Sequence, residues 1–516
     1  MIFLLYSETN TENLNKNLGI SEYSYFFVCE YFRAMLERFG ATVVRIADPE
    51  EEADKLWDEA QRNGEKCVFL SFAPPHRTFM NIRCPTIPIF AWEFDTLPNE
   101  VWGGDKRNDW RYVLTKLGQA ITHSRYSLGA VKQAMGEQFP ALAIPAPVFD
   151  RINSGVRRSG FRGEFVVSGE VLDSRHSEDW AVVPAPPPPP PPPPSPPSTV
   201  PETRSLARRV KLTAVYVLMW YRDVVRDLLP AFVKNGVSLL GQGFYRAVYA
   251  YRFKPAMRPE TTAVKEPAAP PPLITPPPAP LTRLALDGVV YTSVFNPADG
   301  RKNWLEILTA FCCALSAQED ATLVFKFANA DCAGAMDVVR DNLRKLPPFK
   351  CRVVVLSGFL DENAYCELIA ASTYTVNNSL AEGQCLPLME YLSAGKPAIA
   401  PRNTALIDYI DEEIAFVLKS SRELCCWPQD SRHMYRAHRY RGDWQSLVDA
   451  IGASYRVAKA EPERYDAMSR VATERMRGYC SQQAVWEKFS AFVEQCFPAQ
   501  SKAPAEERTV QPAQCA

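Results

Sequence analysis

The sequence predicts an α/β protein of two doubly wound domains, each a parallel sheet covered by helices. Three observations predict it. The chain has 516 residues, more than a single hydrophobic core serves. Short apolar runs alternate with longer amphipathic stretches in two separate blocks. Between the blocks lies a stretch so rich in proline that it cannot pack as a sheet or helix.

The first block, residues 1–165, carries strand-like runs at 2–6, 42–46, 67–71, 87–91, 120–122 and 142–144. Between the first two lies YSYFFVCEYFRAMLERF, apolar at helical spacing and stopped by Gly40. The second block, 286–480, repeats the rhythm. Strands are expected at 289–293, 322–327, 352–356, 374–377 and 397–400, and helices at 304–315, 335–346, 362–371 and 386–394. A terminal helix is expected within 481–498, at 483–496, followed by a polar tail, 499–516, that reads as disordered.

Residues 170–285 read as an insertion or linker. Tracts at 184–197 and 267–280 are nearly pure or rich in proline and extended by composition. Between them, 204–255 reads as helical, with Arg208, Arg209 and Lys211 ahead of an apolar run ending in Trp220 and Tyr221. Two readings stay open for it: an interfacial helix giving peripheral membrane contact, or a helical hairpin packed on the protein. The proline tract reads as a spacer in preference to an SH3-type ligand.

Bulk composition narrows the function. The 58 basic and 59 acidic residues nearly cancel, so no global field selects nucleic acid. The 14 cysteines form no C-x-x-C and no zinc spacing, and several sit in apolar runs as small buried hydrophobes, which fits a reducing, cytoplasmic setting. The opening MIFLLYSETN is too short and too poor in basic residues for a signal peptide and reads as a buried strand. No run reaches the roughly 18 to 20 apolar residues that span a bilayer.

The segment carrying chemistry is NNSLAEGQCLPLMEYLSAGKPAIA, residues 377–400. It leaves a strand, passes a polar loop with Glu382 and Gly383, and enters a helix at Cys385, Leu386, Pro387 and Leu388. Proline in the first helical turn loses no hydrogen bond, because its missing N–H would have had no partner there. Unpaired amides and the positive end of the helix dipole suit a diphosphate. Glu390 follows one turn inside the helix.

Glu382 and Glu390, set in E-G-x-x-L-P-L-x-E-x-L-S-A-G-K-P, resemble the E-x7-E signature of retaining GT-B glycosyltransferases, especially glycosyltransferase family 4. The resemblance covers 286–480 well, 1–150 in part, and the insertion not at all. It implies the GT-B fold: two Rossmann-like domains facing a cleft. It also implies that Glu382 binds hydroxyls of the donor sugar, that Glu390 binds the ribose, and that the backbone at 385–388 lines the phosphates.

Two further stretches match in the second block. In VFNPADGRKNW, Lys302 falls on the family lysine that neutralises the departing nucleoside diphosphate. The additional family arginine is absent, Asn296 standing near its slot, which leaves Arg301 as the substitute. In SGFLDENAY, Gly358 falls in the loop beside the nucleotide base, with Phe359 and Leu360 as base contacts or core residues.

In the first block, PIFAWEFDTLP resembles the family's His-Asp-then-proline stretch. Asp95 matches the aspartate, and Phe94 stands where the histidine is expected. Glu93 and Asp95 are therefore the expected polar groups near the reacting carbon. Gly19 lies in the counterpart of the family's first glycine loop. ITHSRY resembles a strand-to-helix segment with His123 and Arg125 at the cleft, although a lone histidine reads more readily as a structural one.

The implied activity is metal-independent transfer of a sugar, with retention, from a GDP- or UDP-sugar to a hydroxyl of a glycan or lipid-linked acceptor, as in polysaccharide or lipopolysaccharide assembly. No Asp-x-Asp metal motif occurs, so no metal and no cofactor beyond the donor is expected. A GT-B epimerase or phosphorylase, and a non-catalytic GT-B subunit binding nucleotide sugar, are the alternatives.

Overall fold

The computed structural model describes residues 1–10, 19, 23–159, 163–176, 281–329, 331–358 and 360–498. The proline tracts, the 204–255 segment, the rest of the opening loop, Phe359 and the 499–516 tail lie outside the described residues. Both lobes belong to one compact unit, residues 1–182 with 278–516.

The first lobe is a six-stranded, all-parallel sheet: β1 (Ile2–Tyr6), β2 (Thr42–Arg45), β3 (Cys67–Phe72), β4 (Thr86–Phe90), β5 (Ala120–Thr122) and β6 (Ala141–Ala143). Its spatial order is β2-β1-β3-β4-β5-β6, so the winding reverses between β1 and β3. Helices α1 (Tyr23–Arg38), α2 (Pro49–Arg62), α3 (Trp110–Leu117), α4 (Arg125–Met135) and α5 (Phe149–Ser159) accompany it. Local chemistry explains the helix starts. Asp48 accepts from the amides of Glu50 and Glu51, and Pro49 opens α2 where no N–H is required. Ser124 caps α4 through Ser127 N at 3.1 Å.

The second sheet has seven strands. β7 (Glu164–Ser168) and β9 (Leu281–Ala285) form a separate two-stranded ribbon. The sheet itself contains β8 (Val171–Asp173), β10 (Val289–Phe295), β11 (Ala321–Phe327), β12 (Arg352–Leu356), β13 (Tyr374–Val376), β14 (Ala398–Pro401) and β15 (Ala415–Leu418). Its order is β15-β14-β13-β10-β11-β12-β8, parallel except for β8. Here the winding reverses between β10 and β13. The intervening helices are α6 (Trp304–Ala314), α7 (Ala333–Lys345), α8 (Glu362–Ala371) and α9 (Leu386–Ser393). Each lobe is thus a Rossmann-like, doubly wound sheet with its own reversal point.

The second lobe claims more chain than the composition implied. β8 pairs with β12, and Arg352 closes on Asp173 at 2.6 Å with both side chains only 8% exposed. β9 pairs with β7. Residues 164–173 and 281–285 are thus lobe structure, and the departure from it lies between β8 and β9. An unforeseen hairpin, β16 (Ser420–Cys426) with β17 (Tyr435–Gly442), leaves the second lobe to meet the first. Helices α10 (Trp444–Ala460), α11 (Pro462–Cys480) and α12 (Gln482–Cys496) follow. α12 crosses back to the first lobe, where Phe489 packs on Phe3 and Phe32, and Trp486 stacks on Phe39 at 5.0 Å. One continuous apolar cluster therefore joins the first sheet, α9 and the last two helices.

Candidate functional site

In a doubly wound sheet the loops on either side of the winding reversal part, leaving a crevice beyond the carboxyl ends of the strands. Both reversals here open on one cavity of about 1120 Å³. From the second lobe, the loops after β10 and β13 supply Arg301, Lys302, Glu382 and the start of α9. From the first lobe, Gly19 lies in the loop after β1, Pro74, His76 and Arg77 in the loop after β3, and Ala91–Glu93 after β4.

The two loops of the second lobe meet through a buried ion pair. Lys302 Nζ donates to Glu382 Oε1 at 2.7 Å, and Asn377 Nδ2 donates to the same oxygen at 3.2 Å. Burial pushes the Glu382 carboxyl up, but the charges of Lys302 and Arg301 outweigh it and hold it below its ordinary value. Burial acts on Lys302 downward, and Glu382 overrides that too, raising the ammonium. Arg301 forms a fork on Asp299 and reaches across to Glu93 of the first lobe. Desolvation dominates at Glu93 and raises its carboxyl despite Arg301. Two cations thus face three carboxylates.

Cys385, the residue just before α9, takes the left-handed conformation at φ 61°, a strained choice for a residue with a side chain. Leu386 and Pro387 line the cavity, as does Glu390 one turn further on. Glu390 is 7% exposed and accepts from Tyr31 of α1 at 2.7 Å and Tyr365 of α8 at 2.7 Å, each hydroxyl on a different oxygen. Burial raises its carboxyl, partly offset by these two hydrogen bonds.

Gly383 sits where the lobes touch. A Cβ there would lie 2.8 Å from Ala91 Cβ and 3.1 Å from Trp92 N, so only glycine allows the approach. At Gly19, with φ 97°, the carbonyl accepts from Asn296 Nδ2 at 2.6 Å, tying the first-lobe loop to β10.

Of the residues singled out from the sequence, Glu382, Lys302, Arg301, Glu93, Glu390, Gly383, Cys385, Leu386, Pro387 and Gly19 line the cavity. Asp95, Leu388 and Gly358 do not. Asp95 turns to the hairpin, where it meets Arg422 at 2.6 Å and both the amide and the ring of His438. Burial works against its charge, but those donors hold its carboxyl below the ordinary range. Leu388 is about 200° around the helix from Leu386 and points into the core at 1% exposure. Gly358, at φ 97°, has Ser168 O 3.1 Å from where its Cβ would be, so it serves packing of the β7–β8 turn.

His123 is fully buried. It donates from Nδ1 to Ile144 O at 3.0 Å, and burial pushes its pKa down to about 4. Arg125 is 71% exposed and paired with Asp408. Neither lines the cavity. Phe94 is a core residue edge-on to Trp92.

Several cavity residues were not anticipated. Tyr31 and Tyr365 lie inside amphipathic helical runs, where an aromatic residue gives no sign of its partner. Lys326 left a visible signal: it is the charged residue in the apolar strand ATLVFKF.

No protein-family model matches the chain, and no curated protein does. Among solved structures, it is similar to a sucrose-phosphate synthase from Thermosynechococcus elongatus (12% identity, TM-score 0.47, 97% of this chain and 99% of that chain). It is similar to a glycosyltransferase from Rickettsia africae (8% identity, TM-score 0.47, 96% and 98%). It is also similar to HepE from Anabaena, solved with UDP and glucose (10% identity, TM-score 0.46, 96% and 99%).

Proposed function

We propose that this protein transfers a sugar from a nucleotide-sugar donor to a hydroxyl of a glycan or lipid-linked acceptor, with retention at the anomeric carbon. The observation that carries the reading is the buried Lys302–Glu382 pair beside the amino end of α9, at the point where the second sheet reverses. A diphosphate over that helix end meets the Leu386 amide, the positive end of the helix dipole and the ammonium of Lys302. In this reading Glu382 accepts from sugar hydroxyls. Glu390 lies one turn along for the ribose, and each of its oxygens keeps a lone pair beyond the one its tyrosine uses.

Charge builds on the diphosphate as the bond to C1 breaks. Cations already fixed around it stabilise that state without reorganising. Lys302 and Arg301 are such cations, and the phosphates would compete with Glu93 for Arg301. The acceptor hydroxyl attacks from the face the diphosphate leaves, and its proton passes to the departing phosphate oxygen, so no protein nucleophile is required.

The test is slow hydrolysis of a panel of UDP- and GDP-sugars, with the first-formed anomer read by proton NMR. Retention of the donor configuration supports the reading. Inversion, or no turnover of any donor together with no thermal stabilisation by one, removes it. A non-catalytic nucleotide-sugar binder is the second reading, favoured by Phe94 standing where the family resemblance expects a histidine. Thermal stabilisation without any turnover selects it.

A further inference from the structure

Lys326 stands at the end of β11, 5% exposed, and lines the cavity. Its neighbours Phe325 and Phe327 point to the opposite face and are buried in the core. The other cavity-lining cations, Arg77, Arg151, Arg301 and Lys302, each face a carboxylate. Among the described residues, Lys326 faces none. Its ammonium donates to Phe327 O at 2.7 Å.

A buried charge without a counter-ion is costly, and proteins rarely keep one where packing is the only requirement. Burial lowers its pKa to about 8, which registers that cost and leaves it charged at neutral pH. With no carboxylate facing it among the described residues, the ammonium suits an anion brought by a ligand.

Its position says which one. In the β10–β11 register Lys326 pairs with Val294, two residues before Asn296 and the loop carrying Arg301 and Lys302. Adjacent strands are about 4.8 Å apart, and Lys326 lines the same cavity as Arg301 and Lys302 of that loop. We propose that Lys326 is an anion-binding lysine of the cavity, donating to a phosphate of the nucleoside diphosphate and not to its base. The assignment rests on the nucleotide-sugar reading above, and it adds a cation from a second strand to those of the β10 loop.

The experiment is isothermal titration of UDP and GDP, and of uridine and guanosine, into the full chain and into the Lys326→Met and Lys326→Arg variants. Lys326→Met is expected to weaken the diphosphates at least tenfold, to leave the nucleosides unchanged, and to melt no lower than wild type in the free state. Lys326→Arg is expected to retain most of the affinity. Equal diphosphate affinity in Lys326→Met and wild type overturns the assignment of Lys326 alone. Equal losses for diphosphates and nucleosides, or a lower melting temperature in Lys326→Met, also overturn it, since they mark a base contact or a structural lysine. If neither diphosphate binds the wild-type chain, the nucleotide reading falls and takes the assignment with it.

Discussion

Lys302 and Glu382 stand 80 positions apart in the chain, yet their side chains close to 2.7 Å at the floor of the cleft, the lysine 18% exposed and the glutamate 6%. Each explains how the other stays charged. Replacing either with alanine strands a buried charge and is expected to destabilise the free protein by about 3 kcal/mol. Replacing both is expected to cost less than the sum, with a coupling of about 2 kcal/mol in a double-mutant cycle by urea unfolding. Additive losses would show that the two do not share one interaction.

Gly383 predicts a lobe-contact defect. A Gly383→Ala side chain meets Ala91 and the Trp92 backbone, atoms that cannot swing aside. Overpacking of this kind destabilises by about 2 kcal/mol. The variant should melt lower and bind nucleoside diphosphate more weakly. An unchanged melting temperature would mean the lobes do not meet at this point.

Glu93 and Asp95 are separated by one residue and should behave in opposite ways. Asp95 accepts from Arg422 and His438 outside the cavity, so Asp95→Asn should lower stability by about 2 kcal/mol with donor affinity within about twofold. Glu93 holds Arg301, so Glu93→Gln should free that guanidinium and tighten nucleoside diphosphate binding several-fold. Isothermal titration of both variants decides. Loss of donor binding in Asp95→Asn would return that residue to the site.

His123 sets a pH window. Its folded pKa, about 4, lies below the ordinary 6.5, so the unfolded chain binds more protons between those values. Stability from this group is complete above about pH 6.5 and is lost as pH falls toward 4. The loss is on the order of 3 kcal/mol relative to a His123→Asn variant. Parallel acid unfolding curves for the two proteins would refute it.

What could be read from the chain beforehand follows the reach of local chemistry. β1, β5, β12 and α8 end where the sequence places them, because apolar runs bounded by caps and turn residues are decided within a few positions. α9 likewise announces its first turn through Pro387. The hairpin of β16 and β17 did not show itself, since β16 is SSRELCC and its inward residues answer to the first lobe, far away in sequence. Asp95 illustrates the same limit at the site. It sits one residue past Phe94 in a motif-like stretch, and only the arrival of Arg422 and His438 decides which way it turns. Tyr31 and Tyr365 find Glu390 through contacts 359 and 25 residues distant, which no spacing encodes.

The central claim, that a nucleoside diphosphate seats between the lobes on Lys302 and the amino end of α9, is tested most directly by isothermal titration of UDP and GDP into wild type and Lys302→Ala. The account predicts one site per chain for at least one of the two, weakened tenfold or more by the substitution. Binding of equal affinity in both proteins, or none in either, would contradict it.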